Sequence, residues 1–336
     1  MSEALGTLDA PVLVLADLDG TRPTDPALEL VAAARTLTGG GGDVVALTLG
    51  PVEAEASAAL AAAGANRLLV ADLGGERAQA AAGADAVVAA VHEVAPGAVL
   101  VSSDYRGKET AGRAAVLLDS ACVSDVADLR VVDGALHADR LVLSGSWSTT
   151  MSANAHTVHP PILAVRPGSV EVPDASVDDA APLPAVALEV AVSREAAAVR
   201  LVSRESTAAA AGPDLAGART VVVGGRGVDG DFDIVRSLAE PLGAAVGATR
   251  VACDEEWIER SAQIGQTGVS IAPRLYIGLG VSGAIHHTSG IQGAGTIVAV
   301  CDDSEAPIFE MADFGVVGDV TEVVPQLVAE LDRLRG

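Results

Sequence analysis

Along the first half of the chain, short runs of branched apolar residues alternate with longer Ala-rich stretches whose apolar positions recur every three or four residues. Residues 12–15, 44–49, 68–70 and 98–102 read as strands, and 27–37, 52–63, 77–91 and 109–118 as the helices between them. This βα rhythm predicts a parallel sheet with right-handed crossovers. The helical period disappears between 123 and 164, where ADLRVVDGALHADRLVLSG predicts a hairpin turning at Asp133 and Gly134. Pro167, Pro173, Pro182 and Pro184 then punctuate an acidic stretch, and an extended segment follows near 185–202. ESTAAAAGPDLAGA has the composition of a linker, which sets a first domain at residues 1–205 and a second at 206–336.

The pattern restarts with strands at 220–223, 245–250, 275–279 and 296–300. Phe232, Val235, Leu238 and Leu242 share one helical face, and an amphipathic helix closes the chain over about 321–334. Asp319 and Glu322 have the spacing of a capping box, while Pro325 suits the first turn of a helix that starts later.

Composition narrows the class. Half of the 336 residues are apolar but only 2% are aromatic, so Ala, Val, Leu and Ile must fill the cores. That suits parallel strands covered on both faces by Ala-rich helices, and the length allows two cores. With 45 Asp and Glu against 21 Lys and Arg, the net charge of −24 opposes binding to nucleic acid or an anionic membrane surface. Solubility and steering toward basic partner proteins both remain open as its role. Cys122, Cys253 and Cys301 are far apart, which predicts a reduced, intracellular chain without disulfides or a zinc site. The N-terminus has no basic stretch before its short apolar run, so no signal or membrane insertion is expected and a cytoplasmic location is.

Candidate chemistry concentrates late in the chain. Gly278-x-Gly280-x-x-Gly283 follows an apolar strand and precedes Ser282 to His287, read as a helix start whose free N–H groups would face an anion. A second turn, Gly225-x-Gly227-x-x-Gly230, also follows a β-branched strand. Asp302 and Asp303 lie where an acid would meet a ribose hydroxyl. The local reading is a nucleotide or dinucleotide site. No P-loop, nucleophile elbow or metal-ligand spacing is present, and no catalytic or metal-binding residue is assigned.

LYIGLGVSGAIHH, APIFEMADFGVVGDV and, upstream, GGRG, GATR and IGQTG, all in this order, resemble the alpha subunit of electron-transfer flavoproteins. The likeness is dense over about 217–327; earlier, SDV at 124–126 and VRPGSVE at 165–171 are its recognisable fragments. The resemblance implies an α/β protein whose second domain is Rossmann-like and holds non-covalent FAD. It also implies a heterodimer with a beta subunit, and an electron carrier without an organic substrate of its own, hence not an enzyme. Its implied donors are flavoprotein dehydrogenases such as the acyl-CoA dehydrogenases of fatty acid β-oxidation, and its acceptor a quinone reductase. The first domain, whose strand ends lack glycine turns, is expected mainly to build the subunit interface.

On sequence alone, Arg250 reads equally as a cation over a cofactor edge, where it ends a strand, or as a surface ion pair with Asp254, Glu255 or Glu256. The resemblance places it at the isoalloxazine ring, favouring the negatively charged reduced forms. Gly265-Gln266-Thr267-Gly268 reads either as an ordinary loop turn or as one offering N–H groups and the Thr267 hydroxyl to a ligand; by resemblance Ile264, Gly265, Gln266 and Thr267 face the ring and ribityl chain, with Thr267 near the ring nitrogen that takes up a proton. Ser282, Gly283, Ala284, Ile285, His286 and His287 resemble the segment at the pyrophosphate and ring. His287 matches a histidine expected to hydrogen-bond a ring carbonyl oxygen, and His286 stands where glutamine is usual. The resemblance assigns Arg226 to the nucleotide end and Asp319 with Val320 to the adenosine moiety, and Thr249 keeps the hydroxyl of the more usual serine. Cys301 replaces a frequent asparagine, so that polar contact is not carried over.

The runner-up is an NAD(P)-dependent dehydrogenase using Gly278-x-Gly280-x-x-Gly283. Against it, the motif lies too near the C-terminus to leave room for a second mononucleotide-binding half. A third reading is a nucleotide-binding sensor without redox activity.

Overall fold

A computed structural model describes residues 5–74, 79–142, 147–173, 180–203, 213 and 215–335. These fall into two compact units, one before and one after residues 204–212. The boundary expected at 205/206 lies outside the described residues.

The first unit contains β1 (Leu5–Gly6), β2 (Val12–Leu15), β3 (Leu18–Asp19), β4 (Arg22–Pro23), α1 (Asp25–Leu37), β5 (Val44–Thr48), α2 (Ala54–Ala63), β6 (Arg67–Val70) and α3 (Ala80–Val94). It continues with β7 (Ala98–Ser102), α4 (Tyr105–Leu117), β8 (Cys122–Val132), β9 (Ala135–Val142), β10 (Trp147–Asn154), β11 (Ile162–Val165), β12 (Ala185–Ala187) and α5 (Arg194–Ala197). Its sheet runs β10-β9-β8-β11-β7-β2-β5-β6-β12, with β1 on β8. From β8 through β11, β7, β2, β5 and β6 to β12 all neighbours are parallel, and β8, β9 and β10 form an antiparallel arm. Every residue of β2, β5, β7 and β11 is buried. Strands covered on both faces need apolar side chains at every position, which is why they read as unbroken runs.

The expected hairpin turn is present, with Asp133 at φ 50 and Gly134 at φ 80, the left-handed pair of a tight two-residue connection. The third strand of the arm, β10, was not legible: its residues are almost all exposed, so no apolar alternation marks it. The helix expected at 109–118 starts at Tyr105, because the Asp104 side chain accepts the Gly107 N–H at 2.7 Å and caps it there. Of the extended segment expected near 185–202, only Ala185–Ala187 is strand; Ser193 caps the short helix that follows.

The second unit comprises β13 (Thr220–Gly224), α6 (Phe232–Leu242), β14 (Ala245–Ala248), α7 (Arg250–Asp254), β15 (Leu275–Leu279), α8 (Ile285–Thr288), β16 (Thr296–Cys301), β17 (Phe314–Val317) and α9 (Val320–Arg335). Its sheet order is β14-β13-β15-β16-β17, parallel throughout. On α6, Phe232, Val235 and Leu238 enter the core as their spacing predicts, and Leu242 packs at its margin. Asp319 starts α9 directly: its carboxylate accepts the Thr321 N–H at 2.8 Å, and Pro325 lies inside the helix rather than in its first turn. No described helix is long and apolar enough to cross a membrane.

Candidate cofactor site

Because all five strands of the second sheet run the same way, the segments that follow them emerge at one edge. Gly224 is paired with Ala248 and with Leu279, Leu279 with Val300, and Cys301 with Val317. Arg226, Thr249, Arg250, Ser282 to His287, Asp319 and Val320 therefore all follow carboxyl ends of neighbouring strands, where open α/β sheets bind ligands.

At the middle of that edge two backbones cross without side chains between them. Gly225 N–H donates to the Leu279 carbonyl at 2.9 Å and Gly227 N–H to the Gly280 carbonyl at 3.0 Å. A Cβ on Gly225 would sit 2.2 Å from the Gly280 oxygen, and one on Gly280 would sit 2.5 Å from the Gly227 Cα, on a backbone with φ +61. Only glycine permits this approach. Gly278, expected as the first turn glycine, lies within β15 and turns nothing.

The polar groups around the crossing suit an oxygen-rich anionic cofactor. Thr249 Oγ1 is buried with no hydrogen-bond partner among the described residues. The backbone N–H groups of Ser282, Gly283 and Ala284 likewise have no acceptor among the described residues. The expectation of a helix beginning at Ser282 is corrected: α8 spans only Ile285–Thr288, with Ala284 as its N-cap. What reaches toward the edge is an irregular segment, with Gly283 at φ +83, and the N–H donors belong to it.

Residues 263–269 form a loop joined to the end of β14, with Ile264 N–H donating to the Ala248 carbonyl at 2.9 Å. The loop is clipped to α8: Gln266 N–H donates to the His286 carbonyl at 2.7 Å, and the Gln266 Oε1 accepts from His286 Nδ1 at 2.7 Å. Gly265 allows the contact, since a Cβ there would lie 2.3 Å from that carbonyl oxygen. Thr267 is exposed; its hydroxyl oxygen accepts from buried Gln263 Nε2 at 2.9 Å, so its own proton remains available to an acceptor.

His287 points inward. It is 6% exposed, with Nδ1 3.1 Å from the Ile264 carbonyl and Nε2 2.8 Å from the hydroxyl of Tyr276, itself completely buried on β15. Burial pushes the imidazole down to about 4, against a smaller upward pull from the Ile264 carbonyl, so the ring is neutral. Both ring nitrogens are thereby engaged within the protein. The hydrogen bond expected from His287 to a ring carbonyl has no free N–H to supply it in this arrangement.

The remaining expected residues sit at the rim. Arg250 does not end a strand; β14 stops at Ala248, Thr249 is the N-cap, and Arg250 opens α7. Its Nε lies 3.5 Å from Asp254 with the side chain 59% exposed, so the surface pairing is the one seen. Arg226 is exposed, and its guanidinium makes no ion pair among the described residues. Val320 is buried in the core with Val228; the exposed Asp319 carboxylate caps α9 through Oδ1, its carbonyl accepts from Glu322 and Val323, and the backbone N–H groups of Asp319 and Val320 have no acceptor among the described residues. Gln263 and Tyr276 were missed by sequence reasoning. The one available signal was a tyrosine in a strand otherwise built from aliphatic residues and glycine.

Residues 12–193 match the family described as "Electron transfer flavoprotein domain", and residues 214–292 match "Electron transfer flavoprotein FAD-binding domain". The second match ends before Asp319 and Val320. A protein of Mycobacterium leprae named electron transfer flavoprotein subunit alpha is 39% identical over 313 residues, covering 92% of this chain and 94% of its own. One of the same name from Mycobacterium tuberculosis is 39% identical over 333 residues, covering 97% and 100%. A Bacillus subtilis protein, again of that name, is 33% identical over 328 residues, covering 96% and 98%. Two parallel-rich units, a glycine crossing at the second sheet's edge and these matches lead to one assignment: the chain belongs to the electron transfer flavoprotein alpha-subunit family.

Proposed function

We propose that this chain is an electron carrier that holds FAD, non-covalently, at the carboxyl edge of its second sheet and works as a heterodimer with a beta subunit. The observation that carries this reading is the side-chain-free crossing of Gly225, Gly227 and Gly280, beside the unpartnered Thr249 hydroxyl and the donors of Ser282 to Ala284. A pyrophosphate needs close backbone approach and N–H donors, and these residues supply both.

When bound, the flavin supplies reversible uptake of one or two electrons; the chain supplies position and electrostatics. Arg226 would meet the nucleotide end, Asp319 and Val320 the adenosine through their backbone, and Ile264, Gly265, Gln266 and Thr267 the ring side. Gln263 keeps Thr267 Oγ1 supplied with a donor, which leaves the threonine proton to be given to an acceptor. Arg250, at the start of α7, places a permanent cation at the rim that favours an electron-rich ring. The first unit is the natural surface for the beta subunit, since β10 exposes Trp147 and Met151 along an outer strand.

We take the donors to be flavoprotein dehydrogenases, of which acyl-CoA dehydrogenases are one kind, and the acceptor to be a quinone reductase; the chain has no organic substrate in this reading. Coexpression with the beta subunit, acid release of bound nucleotides and their quantitation test it. One FAD per alpha chain is expected, and a preparation that retains nicotinamide nucleotide or none would overturn it.

A further inference from the structure

We propose that Tyr276 is a positioning residue of the cofactor edge: its buried hydroxyl donates to Nε2 of His287 and holds the ring, whose tautomer the Ile264 carbonyl sets, so that the 263–269 loop is fastened to α8. The contacts leave one consistent assignment of protons. A carbonyl can only accept, so the nitrogen 3.1 Å from the Ile264 oxygen, Nδ1, carries the proton. In a neutral ring Nε2 is then a bare acceptor, and the Tyr276 hydroxyl 2.8 Å away donates to it. Burial holds the imidazole neutral, as its value of about 4 indicates, so a second ring proton is not in play near neutral pH.

Three chain segments meet at this imidazole. Tyr276 rises from the centre of the sheet, His287 belongs to α8, and Ile264 belongs to the loop that carries Gln266 and Thr267. The loop and helix are also in backbone contact through Gln266 N–H to the His286 carbonyl, and just beyond both Ile271 N–H donates to the Gly290 carbonyl at 2.8 Å. Of the side-chain links between the loop and α8 among the described residues, the His286–Gln266 pair is exposed and the His287–Ile264 link is buried. The buried link depends on Tyr276: without that hydroxyl, Nε2 is a buried acceptor with no donor, and the ring gains by turning away from Ile264. His287 thus acts on the cofactor by holding Gln266 and Thr267 in place. This inference rests on the FAD reading for its consequence, but its protonation pattern stands without any cofactor.

The experiment uses the full chain with its beta subunit, with ¹⁵N-histidine only in this chain and the His287 resonances identified by their loss in His287→Gln. In wild-type protein freed of flavin, long-range ¹H–¹⁵N correlations should show Nδ1 protonated and Nε2 not; an Nε2-protonated ring would overturn the inference whether or not FAD binds. In Tyr276→Phe the ring should turn, so that the Nδ1–H loses the hydrogen-bonded shift it has against Ile264, and the FAD dissociation constant, followed by flavin fluorescence, should rise by about tenfold, the scale of one lost buried hydrogen bond. Adding Tyr276→Phe to His287→Gln should change dissociation by less than twofold. An unchanged Nδ1–H shift in Tyr276→Phe, or fully additive effects in the double variant, would show that Tyr276 does not act through His287.

Discussion

The two units share a winding rule and use it oppositely. In each sheet one strand has neighbours laid down in opposite directions: β2 lies between β5 and β7, and β13 between β14 and β15. A crevice is expected at the carboxyl end of such a strand. In the second unit it is lined by crossing glycine backbone. In the first, Asp17 just after β2 is bonded to Arg106 of α4 just after β7, Ser103 accepts the Asp125 N–H at 3.0 Å, and Lys108 pairs with Asp125 at 2.7 Å. Topology provides the same place twice; residue volume decides whether the chain fills it with its own charges or leaves backbone donors for a ligand.

The strongest way to break this contrast is to give the glycine crossing a side chain. Gly280→Ala forces a Cβ to within 2.5 Å of the Gly227 Cα on a left-handed backbone. It should destabilise the second unit by about 3 kcal/mol and remove most bound FAD, read by thermal unfolding and flavin content. Retention of full FAD would show that the crossing is not what admits the cofactor. The reciprocal change empties the first crevice. Arg106→Met leaves Asp17, 12% exposed, without its cation; since Arg106 is itself 26% exposed, the cost should be about 2 kcal/mol rather than that of a fully buried pair. Flavin content should not change, and a loss of FAD would mean that the first crevice also serves the cofactor.

The same contrast separates what was legible in the sequence from what was not. Glycine spacing after β-branched runs announced the second crevice, because backbone crossings tolerate one residue type only. Buried parallel strands such as Val44–Thr48 announced themselves by unbroken apolar runs. Exposed β10 carried no such pattern, and the end of β14 was misjudged because α7 begins right after Thr249 with no side-chain capping bond to mark the change. Side-chain partners were the least legible. That His287 turns toward Tyr276 and Ile264 depends on segments 11 and 23 residues apart meeting, and that Gln263 supports Thr267, four residues on, depends on the path of the loop between them. The Asp17–Arg106 pair spans a still longer separation and was not foreseen.

Arg250 sharpens the comparison on the side of charge. It is 59% exposed and faces Asp254, so its field at the cofactor edge is screened well below that of a buried pair. Removing a cation disfavours added electrons, so Arg250→Ala should lower the flavin's reduction potential. A residual interaction of about 1.4 kcal/mol corresponds to about 60 mV for one electron. Redox titration of the purified heterodimer checks it; an unchanged potential would leave Arg250 as a surface partner of Asp254.

The smallest effect belongs to the first crevice and follows from Asp17. Burial raises its carboxyl from 3.8 to about 6; nearby Arg106 opposes the rise and Asp104 adds to it. The folded chain therefore binds this proton more readily than the unfolded chain, so the stabilisation is complete below the ordinary carboxylate value and is lost as pH rises through about 6. Between pH 7 and pH 5 the wild type should gain about 1 kcal/mol relative to Asp17→Asn, whose amide does not titrate. Hydrogen exchange of the β2 and β7 amides at the two pH values measures it locally. A difference that moved the other way would mean that Arg106, not burial, governs Asp17, and that the first crevice is closed by a true ion pair at every pH where the protein works.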